Sequence, residues 1–258
     1  MKTTVLVFLF SLIISGESIS QRNVLSDGEE LSYVVYYGFI KLGEVNMKLH
    51  KGTEEKGNTV YYAKSEMKSY SGVPIVSLNT VFESDFIFDG KDLYTKRFFA
   101  TEYHDDGIIT IEYKFYYDSS YVYVRKVNRG NVEKDERINF NTNIRFQDGL
   151  SLFYKARISS FTTDNHMIPV FMNESETSVN YFFSESKDEV SIDITDNDVR
   201  CTRCTGNVNF EGVFGLSGEF AGWFSDDNAR VPLKAQLNVI IGNVTLELDS
   251  YKRKGWNP

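Results

Sequence analysis

The chain has 258 residues with 20 Phe, 16 Tyr and 2 Trp, only 4 Pro, and a formal net charge of −8. Nonspecific nucleic-acid binding is excluded by that charge, because Lys41, Lys64, Lys114 and Arg125 lie dispersed among acids and phosphate neutralisation needs concentrated cations. Scarce proline excludes a linker or stalk, while the aromatic content suits pleated surfaces and a large buried core.

Residues 1–20 open with one Lys and an apolar run from Val5 to Ile14, followed by small and polar residues. They read as an export signal cleaved after Ser20, with Ser18 and Ser20 as the small residues of the site. The run is too short to cross about 30 Å of hydrocarbon, so no transmembrane anchor is expected, and no Cys lies nearby to accept a lipid. Residues 21–258 are therefore expected outside the cytosol, in the periplasm or beyond it, as a single β-rich domain or as two lobes dividing near 140–147.

Strands are predicted at Leu31–Tyr37, Glu44–Leu49 and Thr59–Met67, with Gly38 and Gly43 bracketing a tight connection between the first two. The clearest strand is Ile108–Tyr117, where Ile109, Ile111, Tyr113, Phe115 and Tyr117 share one face and Thr110, Glu112 and Lys114 the other. Asp106-Gly107 before it and Asp118-Ser119-Ser120 after it predict antiparallel neighbours, the second being Tyr121–Val127. One helix is predicted over Gly149–Ile158, with Asp148 as N-cap, and it is short enough to need packing against a sheet. Further strands are expected at Val179–Phe183, Val190–Thr195 and Val208–Phe214. A closing hairpin places Ala235, Leu237, Val239 and Ile241 before a Gly242-Asn243 turn and Val244, Leu246 and Leu248 after it. The spacing favours an all-β antiparallel sheet over βαβ units.

The segment GEELSYVVYYGFIKLGEVNMKL, with Gly28, Glu29, Leu31, Tyr33, Val35, Tyr37, Gly38 and Gly43, resembles the exported bacterial family of domain of unknown function 3108. Asp148–Arg157 and Trp223–Leu248 resemble that family's central helix and closing strands, the latter joining Trp223, Asp227, Arg230, Pro232 and Gly242. The resemblance implies a strongly curved antiparallel sheet or partly closed β-barrel in the bacterial envelope. It brings no catalytic residues, and the stretch around Cys201 and Cys204 departs from the family's pattern.

Cys201 and Cys204 are the only cysteines, and in an exported chain a local structural disulfide is the first reading. Thioredoxin-like chemistry would place such a pair at a helix N-terminus, and zinc would need two more ligands. His50, His104 and His166 show no metal spacing, and Ser217 lacks the G-x-S-x-G frame of a nucleophile elbow. No catalytic residue, metal site or cofactor is assigned. Trp223, Phe224, Asp227 and Arg230 are the ligand-binding or docking candidates, since an aromatic platform beside a charged pair suits a carbohydrate or a carboxylate, although the same residues can simply build a sheet corner. The expected function is noncatalytic binding of an apolar or amphipathic ligand on the concave side of the sheet. A structural or protein-interaction module and a glycan-active enzyme are the alternatives, with lipid, glycan or an envelope protein as partner.

Overall fold

Period-two alternation organises nearly the whole chain into strands, as seen in a computed structural model that describes residues 23–73, 77–212, 216–239 and 242–258. The export signal read at residues 1–20 lies outside the described residues, and so do Phe214 and Ile241. The first half is a meander of β1 (Glu29–Tyr37), β2 (Ile40–Glu55), β3 (Asn58–Ser69), β4 (Asn79–Phe88), β5 (Leu93–His104), β6 (Gly107–Tyr116), β7 (Tyr121–Asn128) and β8 (Asn131–Asn139). After helix α1 (Ser151–Ser159) come β9 (His166–Met172), β10 (Ser175–Val190), β11 (Val199–Val208), β12 (Gly218–Ser225), β13 (Pro232–Val239) and β14 (Gly242–Lys252). Pairing of β14 with β1 joins the halves into one 14-stranded antiparallel sheet with β8 and β9 at its edges. The sheet is curved but not closed, the barrel-like outcome that the resemblance implied.

The irregular chain before α1 ties edge strand β9 back to β5 across the concave side, with Gln147 and Val170 forming an isolated parallel bridge. Thr95 N–H on β5 donates to Phe146 O, while Gln147 donates to Pro169 O and accepts from Phe171 N–H on β9. Beyond that strap, Lys134 on β8 pairs with Glu174 in the β9–β10 turn at 3.2 Å. The concave face is filled by side chains: Phe86, Val122, Val124 and Phe171 are completely buried, and Phe146 and Tyr154 are 1% exposed. Phe115 contacts Tyr117, Phe146 and Phe171 ring to ring, each such burial contributing about 1.5–3 kcal/mol. Helix α1 lies inside the roll, with Leu150, Tyr154 and Ile158 in the larger core cluster and Leu152 and Ala156 against a smaller one under β9–β12.

Asp148 starts α1 as the sequence indicated, its Oδ1 accepting from Leu150 N–H at 2.7 Å and Ser151 N–H at 2.9 Å while Ser151 Oγ accepts from Asp148 N–H. This reciprocal cap satisfies donors that a helix leaves orphaned, and the regular turns begin at Ser151, two residues later than predicted.

On β6, Tyr113 and Phe115 are buried and Ile111 packs half-buried on the same core, in keeping with the predicted inner face. Several local readings need correction. Gly242 and Asn243 are not the closing turn; they pair with Val239 and Asn238, and residues 240–241 connect the strands. Gly43 lies within β2, where a Cβ would come 2.3 Å from Lys68 O, so it permits a close strand approach and Gly38-Phe39 makes the turn. Val190–Thr195 is not a strand, since β10 ends at Val190, and β11 ends at Val208, so the described residues 209–212 of the predicted Val208–Phe214 strand are not paired in a strand. Ile192 and Ile194 reach the core from a turn, and that apolar spacing imitates alternation.

Candidate functional site

The Trp223–Arg230 segment does not assemble into one platform. Trp223 and Phe224 face opposite sides of β12. The Trp223 indole N–H donates to Asp188 at 3.0 Å and its ring carries the Arg203 guanidinium at 5.3 Å, whereas Phe224 is buried edge-on to Phe183. Asp227 closes a turn, its Oδ1 accepting from the backbone of Ala229 and Arg230 and from Ser225 Oγ, and its Oδ2 from Trp256 Nε1. Arg230 pairs with Asp226 at 2.9 Å, not with Asp227, and stacks on Phe161. Lys187 and Arg200 also reach Asp226, and despite the opposing effect of burial Lys187 and Arg230 hold its carboxyl below the usual range.

Behind this corner lies a charged knot that reading for chemical motifs missed. Arg157, fully buried on α1, grips Glu29 through both carboxylate oxygens at 2.6 and 3.0 Å and donates to the carbonyls of Val24, Ala229 and Arg230. Arg253 also pairs with Glu29. Burial alone would raise the Glu29 pKa, but the two guanidiniums outweigh it and hold the carboxyl below 4.5. Asp148 is the converse case: burial raises it, opposed by hydroxyls of Ser84 at 2.6 Å and Thr95 at 2.8 Å. Such partnering binds the start of β1, the helix and the β12–β13 corner together.

Cys201 and Cys204 are free thiols, which corrects the expected disulfide. Both lie on β11, where three residues of extended chain span about 10 Å, beyond the Cα separation of about 7 Å that a disulfide tolerates. They enter different core clusters. Burial, aided at Cys201 by Asp188 and Asp226, pushes both up to about 12, so neither is a reactive thiolate at neutral pH.

Outside β10–β14, on the side away from the smaller core cluster, lies an open groove of about 1030 Å³. Strand register builds it. Asn180 lies opposite Asn207, which lies opposite Glu219, and Asn238 lies opposite Asn243. The neighbouring row runs Phe182, Thr205, Ala221, Gln236, Thr245. Short side chains at Thr205 and Ala221 leave the trough, and Phe182 and Met167, 47% and 73% exposed, rise on the β9–β10 side. Among the described residues, the carboxamides of Asn180, Asn207, Gln236, Asn238 and Asn243 have no side-chain hydrogen-bond partner, so both donors and acceptor remain available on each.

The groove offers one carboxylate, Glu219, and one cation, Arg203. His166 stands at its rim, its ring tilted against Tyr181 at 5.1 Å, and burial together with Lys155 lowers its pKa, leaving it neutral at pH 7. Glycoside hydrolysis works through paired carboxyl groups, and hydrogen-bonded binding is the chemistry this lining supplies. Among the described residues no helix is long and apolar enough to cross a membrane.

A family model described as "Protein of unknown function (DUF3108)" matches residues 32–249. A solved beta-barrel-like protein of domain of unknown function DUF1849 from Brucella abortus is similar in fold, with a TM-score of 0.56 at 8% identity over 90% of this chain and 99% of that one. A candidate exported protein with a YmcC-like fold from Bacteroides fragilis aligns with a TM-score of 0.37 at 10% identity, over 88% and 96% of the two chains. A candidate lipoprotein from Parabacteroides distasonis aligns with a TM-score of 0.34 at 9% identity over the same shares. No curated protein matches the chain.

Proposed function

We propose a role for this chain, which belongs to the DUF3108 family of proteins of unknown function, from its groove: it is a noncatalytic envelope protein that holds a hydroxyl-rich ligand, either a glycan or the saccharide head of an amphipathic envelope molecule. The observation that carries this reading is the set of five unspent carboxamides across β10–β14. A sugar hydroxyl both donates and accepts, and a carboxamide answers both needs at once. At strand spacing these five strands span about 19 Å, enough for an extended ligand. Phe182 supplies an exposed aromatic face for the apolar side of a sugar ring, and Arg203 suits an acidic substituent. The residues 1–20 signal supports an exported setting for such a ligand.

The concave side, expected from the aromatic content to hold an apolar ligand, is packed with Phe86, Phe146, Tyr154 and Phe171. That packing supports reading the binding role on the outer face instead.

Calorimetric titration with tetra- to hexasaccharides, neutral and acidic, tests the reading, with a short-chain glycolipid as the second arm. Saccharide binding, weakened about tenfold or more in Gln236→Ala/Asn238→Ala, is expected, since each lost hydrogen bond is worth about 1 kcal/mol. Tighter binding of the glycolipid than of its free head assigns the amphipathic source. Failure of every saccharide to bind, or equal binding by the double variant, overturns the proposal.

A further inference from the structure

Across the trough from the row of Asn180, Asn207, Glu219, Asn238 and Asn243 stands another outward row, with Arg203 on β11, Trp223 on β12 and Lys234 on β13 in register with one another. Along β11 the residues Arg203, Thr205 and Asn207 share the outer face, so the guanidinium and the Asn207 carboxamide rise from backbone positions about 13 Å apart with the Thr205 trough between them. The neighbouring cations are spent on carboxylates: Lys187 and Arg200 on Asp226 at 2.7 and 3.0 Å, and Lys234 on Glu247 at 2.6 Å. Arg203 is held differently. It lies over the Trp223 ring, and that ring is anchored by its indole N–H to Asp188, whose other oxygen accepts from Glu189 N–H at 3.0 Å. Asp188 is near enough for the Arg203 charge to help lower its pKa, yet among the described residues Arg203 makes no ion pair. The ladder beside it is interrupted as well. Lys187 pairs with Thr202 and Phe183 with Cys204, so residues 184–186 bulge out and no β10 residue pairs with Arg203.

We infer that the saccharide held in this groove carries a carboxylate on one edge and that Arg203 selects it, an assignment that rests on the saccharide reading above. A sugar lying in the Thr205–Ala221 trough turns one edge to the carboxamide row and the opposite edge to Arg203. A guanidinium lying on an indole keeps its planar fork of N–H donors for an anion, and a carboxylate matches that fork with two parallel bonds. Stacking also restrains the long side chain before any ligand arrives, which lowers the entropy lost on binding. Trp223 and Asp188 are thus positioning residues, and Arg203 is the contact. The surrounding acids set the charge of the ligand. Glu219 stands in the carboxamide row, Asp188 lies beside Trp223, and Glu185 is exposed in the β10 bulge. Together they oppose a phosphate monoester, with a charge of about −1.5 to −2, more strongly than a singly charged carboxylate. Glu219 also opposes an acid on the carboxamide side, so the ligand binds one way round.

Calorimetric titration with tetragalacturonate and with its fully methyl-esterified form tests this, because the two probes share a backbone and ring hydroxyls and differ in the carboxylates alone. The acid is expected to bind about tenfold or more tightly than the ester in dilute buffer. Arg203→Gln should bring the acid down to the affinity of the ester while ester binding stays as in the native protein, which shows that the variant is folded and its groove intact. Lys234→Gln should keep the preference, since Lys234 is already engaged by Glu247. Equal affinity of the native protein for acid and ester would overturn the inference and leave the groove reading standing. A preference that survives in Arg203→Gln, or that disappears in Lys234→Gln instead, would overturn it by assigning the carboxylate to another residue. Failure of both probes to bind would overturn the inference together with the reading on which it rests.

Discussion

Arg157 inside the roll makes five hydrogen bonds to Glu29 and three backbone carbonyls, whereas among the described residues five carboxamides on the outer face of β10–β14 make none to other side chains. The two polar regions thus differ in what their hydrogen-bonding capacity is used for. Glu29, Asp148, Arg157, Asp227 and Arg230 all belong to the segments that resemble the family, and all are consumed in holding β1, α1 and the β12–β13 corner together. A buried ionic cluster fixes geometry when every member is partnered and is costly when one is removed. Residues that look most like a signature are therefore the scaffold here, and the proposed binding role rests instead on carboxamides outside the signature positions.

The largest effect should come from breaking the knot. Glu29→Gln leaves two guanidiniums buried against a neutral amide, and a loss of about 3–5 kcal/mol is expected in urea denaturation. A native-like midpoint would remove Glu29 from the role assigned to it. The same residue predicts a pH response. Its folded pKa is depressed, so its stabilisation is present above about 4.5 and is lost as pH falls through the folded value. Asp148 has the opposite sign: raised above 3.8, it favours folding most below that value and less as pH rises through its folded pKa. Stability of Glu29→Gln should consequently fall less steeply with acid than that of the native protein.

Aromatic packing of the concave face should come next. Phe115→Ala removes contacts with Tyr117, Phe146 and Phe171 and should cost about 3–5 kcal/mol. On the opposite face of β6, Glu112 pairs with Arg97 and Lys114 at partly exposed positions, so Glu112→Ala should cost no more than about 1 kcal/mol. Comparable losses from both would contradict the facing of this strand.

Cys201 and Cys204 give a smaller test of the same interior. As buried free thiols with raised pKa values they should resist alkylation in the folded protein and react fully in denaturant without prior reduction. Reductant should leave the urea midpoint unchanged. Protection that persists in denaturant until reductant is added would restore the disulfide and require β11 to bend.

How much of this could be read in advance depended on how each region encodes itself. Tyr113 and Phe115 follow a clean two-residue period, and that period located β6 correctly. On β4 and β5 the inner face includes Ser84 and Thr95, completely buried because both serve Asp148, and these hydroxyls break the apolar alternation. Asp148 was recognisable as a cap, but its other partners lie 53 and 64 residues away. The knot was invisible for the same reason: Glu29 and Arg157 are 128 residues apart. The groove has still less signal, because dispersed Asn and Gln gain meaning only when register aligns them.

Groove substitutions should change stability least of all, and that small effect is the sharpest part of the comparison. Gln236 and Asn238 are exposed and make no side-chain hydrogen bonds among the described residues, so truncating either to Ala leaves no buried group unsatisfied. Each should stay within about 0.5 kcal/mol of the native protein in urea. Since Asn238 O accepts from Ser217 N–H through the backbone, removal of the Asn238 side chain also keeps that loop tie. If these residues serve the scaffold as Glu29 does, their loss should register as instability; if they serve a ligand, denaturation will be blind to it and only saccharide titration will respond. An Asn238→Ala protein that binds as before but unfolds more easily would erase the distinction between the two polar regions. A protein equally stable and about tenfold weaker in binding would locate function on the outer face.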